Sequence, residues 1–405
     1  MATIIATGIS TNKDPFEASK NCCLELKKQL GSHLPHIIFV FATIHFVNKR
    51  LLEAILEVFG KGVPIVGISG GGIISSNGIL KYGVTMMGIY STDIYFTQGY
   101  LNIDKNNYRV TGENLAHALT RKLAKANIHN REFGLFFFDG IIDKGSDILS
   151  GLKSILGRSF PILGASAADN MRFYQTFQFY NDQILSNSLV GVIFSGSCLC
   201  GYGIRHGWQP IGRPLTVTSS GGNVIKTIDN LAAVQIYQNY FEKSLKEIKE
   251  NIARISFLYP LGIYLINEEE YLLRNILRIE DDGSLICQGD VAEGSQIHVM
   301  MGTKESALQS ARQAAAQAKN TLRGDQILAA IIFESVSRTQ LLGYRTNEEI
   351  LTIRKILGND VPFIGVCTFG EQAPLKSVEY QGESRFHNQT VLVITIGTRH
   401  VNISQ

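Results

Sequence analysis

The sharpest chemical signal in the sequence is a nucleophile-elbow pattern at Gly67–Gly71. In this G-x-S-x-G pattern, a strand, a sharp turn and a helix present a serine hydroxyl as the nucleophile of a hydrolase. No helix is predicted here, because Gly72–Gly78 carries no helical stripe of apolar residues. The pattern therefore favours a small residue at a crowded strand end, and a serine hydrolase that uses Ser69 is the alternative.

Two histidines lie in polar stretches that could line a ligand site. His206 follows Arg205 and precedes Trp208 by two positions, just after an apolar run that predicts a buried strand. An imidazole beside a guanidinium and an indole can bind a carboxylate, or it can hydrogen bond to backbone and shape the loop. The same two interpretations apply to His387 and Asn388, which precede the last predicted strand. His206, Trp208, His387 and Asn388 are therefore candidate ligand-binding residues.

Charged residues near predicted strand ends in the C-terminal half favour a pocket for a carboxylate. Arg338 follows one apolar strand, and Glu371 follows the next. Ligands of α/β proteins usually bind at the carboxyl ends of strands, and a ligand carboxylate needs a cation such as Arg338. We expect Arg338, Glu371 and His387 to face one pocket. The alternative for Glu371 is an exposed surface position.

Metal chemistry has no clear pattern in the sequence. The six cysteines have the spacing of neither a zinc site nor a small disulfide scaffold. We interpret them as reduced thiols that pack as small apolar groups, with a metal or redox pair at Cys198 and Cys200 as the alternative. None of the nine histidines belongs to a CxxCH haem motif, so the metal ligands are unknown.

An internal repeat indicates the elements that position these candidates. Each copy has an apolar helical stripe that ends at a glycine, followed by a proline and a second apolar run. The copies end with Phe59–Ser69, Leu156–Ser166 and Leu357–Cys367. Each copy therefore predicts a strand, a helix and a second strand. Because the last position is Ser69, Ser166 or Cys367, the repeat argues against a unique nucleophile.

Glycine and proline mark the ends of each unit. Gly60, Gly157 and Gly358 predict a left-handed residue just after each helix. A proline four residues later predicts the start of a strand, since proline cannot continue a helix. A further strand is predicted after each unit, over residues 84–90, 189–195 and 390–396.

The rest of the chain shows other patterns. Asp14 followed by Pro15 and Glu17 predicts a helix that runs to about Leu30. Helices are also predicted over residues 113–126 and 303–320, and residues 255–301 predict an antiparallel meander. The predicted fold is α/β, with layered mixed sheets, repeated strand–helix–strand units and this meander in the C-terminal half. A boundary near Ser219–Gly222 predicts two domains, residues 1–220 and 221–405.

Composition excludes several classes of protein. The 405 residues are 45% hydrophobic and 18% charged, which is typical of a well-cored globular protein. The net charge of +3 is spread over scattered basic residues, so we expect no nucleic-acid partner. No apolar run reaches the roughly 20 residues of a membrane span, and no signal peptide is visible at Met1. We therefore expect a cytoplasmic protein without membrane insertion.

Several short motifs together resemble the FIST family, sensory proteins with an N-terminal and a C-terminal FIST domain. The resemblance covers nearly the whole chain, and the order of the motifs is more specific than any one of them. The motifs are Phe138–Gly140, Ile162–Ser166, Gly203–Trp208, Pro210–Gly212, Leu215–Thr218, Tyr259–Gly262, Val361–Gly365, Phe369–Glu371 and Phe386–Thr390. On this basis residues 1–220 resemble a FIST N-type domain and residues 221–405 a FIST C-type domain.

The resemblance implies a non-enzymatic sensor of a small molecule. The chain is similar to stand-alone bacterial members that look like haem-containing nitric oxide sensors, which act on a histidine kinase of a two-component system. Haem is therefore left open as a cofactor. The alternative is a sensor of amino acids or related metabolites without haem. No kinase, cyclase or F-box pattern is attached, so we expect output through another protein.

The three copies differ most in the residues that follow them. These tails are Gly70–Gly72, Ala168–Asn170 and Phe369–Glu371. Since the copies share everything needed for the strand–helix–strand unit, we expect the divergent tails to help decide what the protein recognises.

Overall fold

The computed structural model describes residues 3–266, 268–322, 325–376 and 381–398. His400, one of the nine histidines, and the last residues of the predicted second domain lie outside this range. The helices are α1 Pro15–Leu30, α2 Lys49–Phe59, α3 Tyr108–Lys125, α4 Gly145–Leu156, α5 Gln235–Phe241, α6 Leu245–Leu258, α7 Lys304–Thr321, α8 Val336–Leu342 and α9 Thr346–Leu357. Short 3-10 turns lie at Ile44–Phe46 and Gly343–Arg345.

The strands alternate with these helices along the chain. In the first half they are β1 Thr3–Ser10, β2 Ile37–Thr43, β3 Ile65–Gly70, β4 Ile73–Ser75, β5 Gly78–Leu80, β6 Val84–Ser91, β7 Ile94–Asn102, β8 Phe133–Phe138, β9 Ile162–Ser166, β10 Gln178–Tyr180, β11 Gln183–Leu185, β12 Ser188–Gly196 and β13 Cys198–Arg205. In the second half they are β14 Trp208–Gly221, β15 Val224–Ile228, β16 Leu231–Ala232, β17 Leu261–Ile263, β18 Leu272–Arg274, β19 Ile276–Ile279, β20 Leu285–Cys287, β21 Gln296–Gly302, β22 Ile327–Ser335, β23 Phe363–Thr368, β24 Gly370–Lys376, β25 Gln381–His387 and β26 Val391–Thr398.

The predicted strand–helix–strand units are confirmed in all three copies. The units are β2–α2–β3, β8–α4–β9 and β22–α9–β23, and each pair of strands is parallel. The further strands β6, β12 and β26 lie antiparallel beside the first strand of their unit. Each helix buries three of its four apolar stripe positions and half-buries the fourth, so the side chains of the three helices are buried in the same pattern. The positions are Leu52, Ile55, Val58 and Phe59 in α2, Leu149, Leu152, Ile155 and Leu156 in α4, and Ile350, Ile353, Ile356 and Leu357 in α9.

Three six-stranded sheets, each built around one unit, enclose a shared apolar core. Their strand orders are β1-β6-β2-β3-β10-β11, β7-β12-β8-β9-β24-β25 and β13-β26-β22-β23-β4-β5. The outer face of each sheet is covered by a helix pair, α1 with α2, α3 with α4 and α7 with α9. Because both faces of each sheet are covered, the strands are continuous apolar runs without alternation. In β2, for example, Phe39 and Phe41 face the shared core, and Ile38 and Val40 face the helices.

Each sheet is completed by a hairpin from another unit. The hairpin β4–β5 follows unit one but pairs with β23 of unit three. The hairpin β24–β25 follows unit three and pairs with β9 of unit two, and β10–β11 follows unit two and pairs with β3 of unit one. The exchange forms a closed cycle, so the three sheets are tied together by backbone hydrogen bonds.

Equivalent residues of the three units meet in the shared core. Phe41, Phe137 and Phe333 occupy the same position of their first strands, opposite Ile68, Ala165 and Val366. Their rings contact one another edge to face, with centroids 5.7–6.1 Å apart. Such pairs add about 0.5–1.5 kcal/mol each beyond the area they bury.

Close backbone packing explains the glycine in the repeated phrase. A Cβ at Gly67, Gly164 or Gly365 would lie about 2 Å from a carbonyl oxygen of the neighbouring strand, closer than any real contact. The glycine of the repeated phrase is therefore required by sheet packing.

Details at the helix ends and in the C-terminal half differ from the prediction. Gly60, Gly157 and Gly358 do end their helices with positive φ, but their ψ values of 166°, 146° and 134° are extended and not left-handed helical. The chain thus turns directly toward the next strand. The predicted meander from residue 255 begins with the end of α6, and antiparallel strands follow only from Leu261.

A fourth, antiparallel sheet is inserted between β13 and α7. Its order is β18-β17-β21-β14-β15-β20-β19, with β16 beside β15, and α5 and α6 pack with it around a separate apolar core. The strand β14 spans residues 208–221, so it crosses the predicted boundary at residue 220. Among the described residues, no helix has the length and apolar character to cross a membrane.

Candidate functional site

A cavity of about 340 Å³ lies where units two and three meet the inserted sheet. We call it the junction cavity. Its walls come from the carboxyl ends of β8 and β22, from the segments that follow β9 and β23, and from α6 and β19. The lining residues are Gly140, Ile141, Ile142, Phe173, Ala253, Phe257, Asn275, Ile276, Leu277, Gln288, Val336, Ser337 and Phe369. This volume is typical of small-molecule sites, which occupy about 300–1,000 Å³.

Two stacked phenylalanines connect the two halves of the cavity wall. Phe173 and Phe369 lie 4.5 Å apart between ring centroids, with their planes 11° apart. Phe369 is buried, whereas Phe173 is 46% exposed. Phe173 comes from the segment between β9 and β10, and Phe369 from the tail of unit three, so the stack depends on the contact between two units.

A buried aspartate holds the segment that carries Phe173. The Asp169 carboxylate accepts hydrogen bonds from the backbone N–H groups of Phe173, Tyr174 and Gln175, at 2.7–3.0 Å. Asn170, Met171 and Phe173 adopt positive φ angles of 52–62°, which are uncommon for residues other than glycine. The carboxylate therefore stabilises an unusual backbone that places the Phe173 ring in the cavity wall.

Four side-chain amides form a continuous network behind and within one wall. We call Asn275, Gln288, Asn388 and Gln389 the amide cluster. Gln288 Oε1 accepts from the amide nitrogens of Asn275 and Asn388, at 3.3 and 3.1 Å, and Gln288 Nε2 donates to the Phe369 carbonyl oxygen at 3.1 Å. Asn388 Oδ1 accepts from Asn275 N, and Gln389 Nε2 donates to Asn275 Oδ1. The network fixes the orientation of Asn275 and Gln288, which line the cavity.

The cavity wall keeps hydrogen-bonding capacity but no charge. Each of the Asn275 and Gln288 amide nitrogens uses one of its two N–H donors within the described part of the chain. The Ser337 hydroxyl, on a residue that is 2% exposed, makes no hydrogen bond to the described residues. The lining residues given above include no charged side chain. The wall therefore suits an uncharged molecule with hydrogen-bond acceptors.

Arg338 lies at the centre of a closed ionic group next to this wall. We call Glu334, Arg338 and Glu349 the ion cluster, and all three are fully buried. Arg338 Nε donates to Glu334 at 2.9 Å, and its Nη atoms donate to Glu349 and to the side-chain and backbone oxygens of neighbouring segments. Those oxygens belong to His206, Ser310 and Ala307. All five N–H donors of the guanidinium are thus used within the protein.

The electrostatics of the ion cluster follow from burial and crowding. Burial lowers the pKa of Arg338, but the charges of Glu349 and Glu334 outweigh it, so this pKa is raised. Burial and then the neighbouring Glu349 carboxylate raise the pKa of Glu334 well above its usual range. Two carboxyls and one guanidinium therefore form a compact group that favours holding a proton.

Glu371 and His387 are buried on either side of the β24–β25 pairing. Glu371 accepts hydrogen bonds from the hydroxyls of Thr368 and Thr390, at 2.6 and 2.5 Å, and burial raises its pKa to about 8. The alternative prediction of an exposed Glu371 is wrong, because the side chain is 0% exposed. His387 Nε2 lies 2.9 Å from the Ala373 carbonyl oxygen, and burial lowers the pKa of this histidine to about 3.

His206 and Trp208 link the ion cluster to the inserted sheet. His206 Nδ1 accepts from the Trp208 backbone N–H at 2.8 Å, and its Nε2 lies 2.8 Å from Glu270. Burial raises the pKa of Glu270, but His206 and Arg205 outweigh it and hold this pKa below its usual range. Trp208 donates from its indole to the Leu258 carbonyl oxygen at 3.2 Å. These contacts shape the loop, as one interpretation of the sequence predicted for His206.

The structure brings one of the six predicted site residues into contact with the junction cavity wall. Asn388 holds Gln288 and Asn275 from behind. The other five, His206, Trp208, Arg338, Glu371 and His387, are buried and are not among the lining residues of this cavity. Direct ligand contact by these six residues stays a prediction.

Sequence reasoning missed most of the residues that line the cavity. Phe173, Asn275, Gln288 and Ser337 belong to no motif that the spacing of residues singles out. The usable signal was the divergent tails: Phe369 lies in the tail of unit three, and Asp169 in the tail of unit two holds Phe173.

Ser69 has the contacts of a structural residue. Its side chain is 0% exposed, and Oγ donates to the Ala168 carbonyl oxygen at 2.9 Å and accepts from Phe177 N–H at 3.0 Å. The following Gly71 and Gly72 form backbone hydrogen bonds with Cys367. A nucleophile must be exposed and paired with a base, and these contacts supply neither.

The residues around the junction cavity do not fit haem. Haem iron needs an axial ligand, which is most often His, Cys, Met or Tyr. The lining residues include none of these four types. The two histidines among the predicted site residues, His206 and His387, are buried and already hydrogen bonded through the contacts given above. Within the described residues, no cluster of three metal-ligating side chains occurs.

Comparison with known families explains this architecture. The model of the FIST N domain matches residues 36–231, and the model of the FIST C domain matches residues 233–374. The chain belongs to the FIST family. FIST domains are associated with signal transduction and with the sensing of small ligands. The junction cavity of this FIST protein is lined by residues from both matched regions.

Individual proteins similar to this FIST protein add little about function. An uncharacterized protein from Methanocaldococcus jannaschii is 24% identical over 318 residues, which are 74% of this chain. The match spans 60% of that relative's length.

The solved structures that align over 98% of this chain include two enzymes. They are a cyanuric acid hydrolase from A. caulinodans, with TM-score 0.40, 8% identity and 100% of that chain covered, and a chorismatase, with TM-score 0.38, 6% identity and 99% covered. Structural similarity at TM-scores this low does not indicate a shared function.

Proposed function

We propose that this FIST protein is a non-enzymatic sensor whose small ligand binds in the junction cavity. The observation that supports this most directly is a cavity built from both FIST domains, with apolar walls and three polar groups, Asn275, Gln288 and Ser337, that have free donors. Apolar walls with a few placed polar groups are typical of ligand sites. The division into domains at residues 1–220 and 221–405 stays a prediction.

The absence of charge among the described lining residues favours an uncharged metabolite over a free amino acid. A carboxylate moved into this cavity would lose its hydration, and the lining residues offer it no cation. Arg338, the cation expected to bind a carboxylate, has its five donors engaged. Amino acids with free carboxylates are therefore the less favoured class. A haem-bound nitric oxide sensor lacks a suitable axial ligand at this cavity.

The six predicted site residues take a supporting role in this proposal. Asn388 positions Gln288 through its hydrogen bond to Gln288 Oε1. Arg338 binds the His206 carbonyl oxygen, and the Trp208 indole binds the end of α6, which forms part of the wall. Glu371 and His387 pack in the β24–β25 hairpin that follows Phe369.

The ligand would produce a signal by contacting both domains at once. A ligand that contacts Phe173 of one domain and Gln288 of the other favours conformations in which the two walls are close, and so shifts the population toward them. A partner protein in the cytoplasm, such as a histidine kinase, would bind one of these conformations. No enzymatic step is part of this proposal.

A cavity-filling variant tests the ligand site. Ala253 lies on α6 at the cavity and its side chain is exposed, so Ala253→Phe can fold and occupy the cavity. Ala124→Phe on α3 is the matched control, because Ala124 is an exposed helical alanine outside the cavity lining. In a thermal-shift panel of metabolites, we expect a ligand that raises the Tm of the wild type and of Ala124→Phe but not of Ala253→Phe. Equal shifts in both variants would contradict the site.

A visible spectrum tests the haem alternative separately. Protein incubated with haemin and then desalted should show no Soret band above that of free haemin. A stoichiometric Soret band that persists in Ala253→Phe would place haem elsewhere in the chain and revive that alternative. A fluorophosphonate probe serves the same purpose for the hydrolase alternative, since labelling of Ser69 would contradict the burial of its hydroxyl.

A further inference from the structure

The cavity wall has an unequal number of hydrogen-bond donors and acceptors. Gln288 Oε1 already accepts two amide N–H groups. Among the described side chains of the wall, free capacity remains at one N–H each of Asn275 and Gln288, at one lone pair of Asn275 Oδ1, which accepts from Gln389, and at the hydroxyl of Ser337. A side-chain carbonyl that accepts two bonds is saturated, so the amide cluster presents mainly donors to the cavity. The bound molecule must then supply acceptors, such as a carbonyl oxygen or a ring nitrogen.

The apolar part of the wall includes three aromatic rings. Phe369, whose carbonyl oxygen binds Gln288, stacks on Phe173, and Phe257 of α6 also lines the cavity. The two rings lie nearly parallel, 11° apart, so a flat ring placed on the outer face of either one extends the stack. A puckered aliphatic ring fills the same volume but cannot make that contact.

The geometry points to a ligand class: we propose that the junction cavity binds an uncharged, planar ring compound that bears a carbonyl or equivalent acceptor. The ring extends the Phe173–Phe369 stack, and the acceptor binds the donors of Asn275 and Gln288. This inference rests on the proposed function, because it assumes that the junction cavity is the ligand site. It names the chemistry of the ligand and not its biological source.

Three small probes of similar size separate the features of this class. Benzamide is planar, uncharged and carries a carbonyl; cyclohexanecarboxamide keeps the carboxamide but lacks the flat ring; benzoate keeps the ring but is charged. Titration of the full chain with each probe, followed by ligand-observed NMR, gives three dissociation constants. We expect benzamide to bind most tightly, with cyclohexanecarboxamide about three- to tenfold weaker, since an aromatic contact adds roughly that factor. Benzoate should be at least about tenfold weaker for lack of a counter-charge.

Variants of the wall assign the binding to the site. Phe173→Ala should weaken benzamide but leave cyclohexanecarboxamide nearly unchanged, whereas Tyr174→Ala, at the neighbouring 84% exposed position, should change neither. Gln288→Met should weaken both carboxamides to a similar degree, because both use the same donors.

Each other outcome overturns the class. Equal affinities for benzamide and cyclohexanecarboxamide would show that the site does not require a planar ring. Tighter binding of benzoate would show that it does not require an uncharged ligand. No binding of benzamide at roughly 10 mM, a concentration that detects even very weak affinity, would remove the class as a whole. If the metabolite panel yields a saturated or charged ligand that Ala253→Phe blocks, the sensor function stands and only this inference fails.

Discussion

The ion cluster and the amide cluster are two buried polar groups at the same end of the three sheets, and they behave differently. The ion cluster is closed: every guanidinium donor of Arg338 is used within the protein. The amide cluster is open: Asn275 and Gln288 line a cavity and keep free donors. Charged residues therefore hold the framework, and neutral amides supply the candidate site.

Burial explains this division of roles. An ion pair without solvent is tolerated only when all its members are paired, so a buried arginine is committed to the structure. An amide has a lower cost of desolvation and can leave one donor free at a cavity wall. A buried arginine beside a cavity is therefore not by that position alone a ligand-binding residue.

The largest expected effect is the loss of the arginine from the ion cluster. Arg338→Met leaves Glu334 and Glu349 buried without a counter-charge, and we expect the free energy of unfolding to fall by about 3–5 kcal/mol. Chemical denaturation measures the change. The control is Arg345→Met, which removes a surface arginine paired with Glu305 and Glu348 and should have a much smaller effect. If the two variants were equally stable, the ion cluster would not hold the framework.

The next effect is a pH dependence from Glu371. Its pKa is about 8 in the folded protein, above the ordinary value of 4.5. Between these values the folded chain keeps a proton that the unfolded chain has lost. The stabilisation is complete below about pH 4.5 and is lost as the pH rises through 8, with a slope of up to about 1.4 kcal/mol per pH unit.

Glu371→Gln isolates this contribution, because the amide cannot titrate. As the pH rises from 5 to 8, we expect the wild type to lose stability relative to the variant, so that the difference between their free energies of unfolding changes with pH. Urea denaturation at several pH values gives this difference, and the titration of other groups cancels in it. A constant difference over that range would show that Glu371 is ionised in the folded protein.

A moderate effect is expected in the amide cluster. Gln288→Met deprives Asn388 of a hydrogen-bond acceptor and Phe369 of a donor, and we expect a loss of about 1–3 kcal/mol in unfolding free energy. Ligand binding should be lost together with this moderate destabilisation. Gln98→Met, at a partly buried glutamine in β7, is a control that should leave ligand binding intact. Unchanged ligand affinity in Gln288→Met would show that the amide cluster does not bind the ligand.

The smallest expected effect on stability belongs to Phe173. Because this ring is 46% exposed, Phe173→Ala should change the unfolding free energy by only about 0.5 kcal/mol. Binding of the ligand should nevertheless weaken measurably by calorimetry. Phe173 is thus expected to affect ligand binding but hardly stability, whereas Arg338 is expected to affect mainly stability. A large destabilisation by Phe173→Ala would contradict this difference.

More of the fold than of the candidate site could be predicted from the sequence. The repeat is a local pattern: Gly60, Pro64 and the stripe of α2 act within one stretch of chain, and the same holds in the other two units. The candidate site depends on contacts between residues far apart in the chain, such as Asn275 with Asn388 and Phe173 with Phe369. Charged residues drew attention to Arg338, but spacing along the chain contains no information on whether a buried charge is already paired.

By itself the sequence determined three strand–helix–strand units, their apolar stripes and the small residues where each phrase ends. These follow from helix and strand periodicity and from the backbone limits of glycine and proline, which act over a few residues. Only the tertiary structure decided that hairpins are exchanged between units, that Phe41, Phe137 and Phe333 meet, and that a cavity forms at the junction. The physical reason is that packing joins surfaces from distant segments, and the same apolar residues would satisfy many such arrangements.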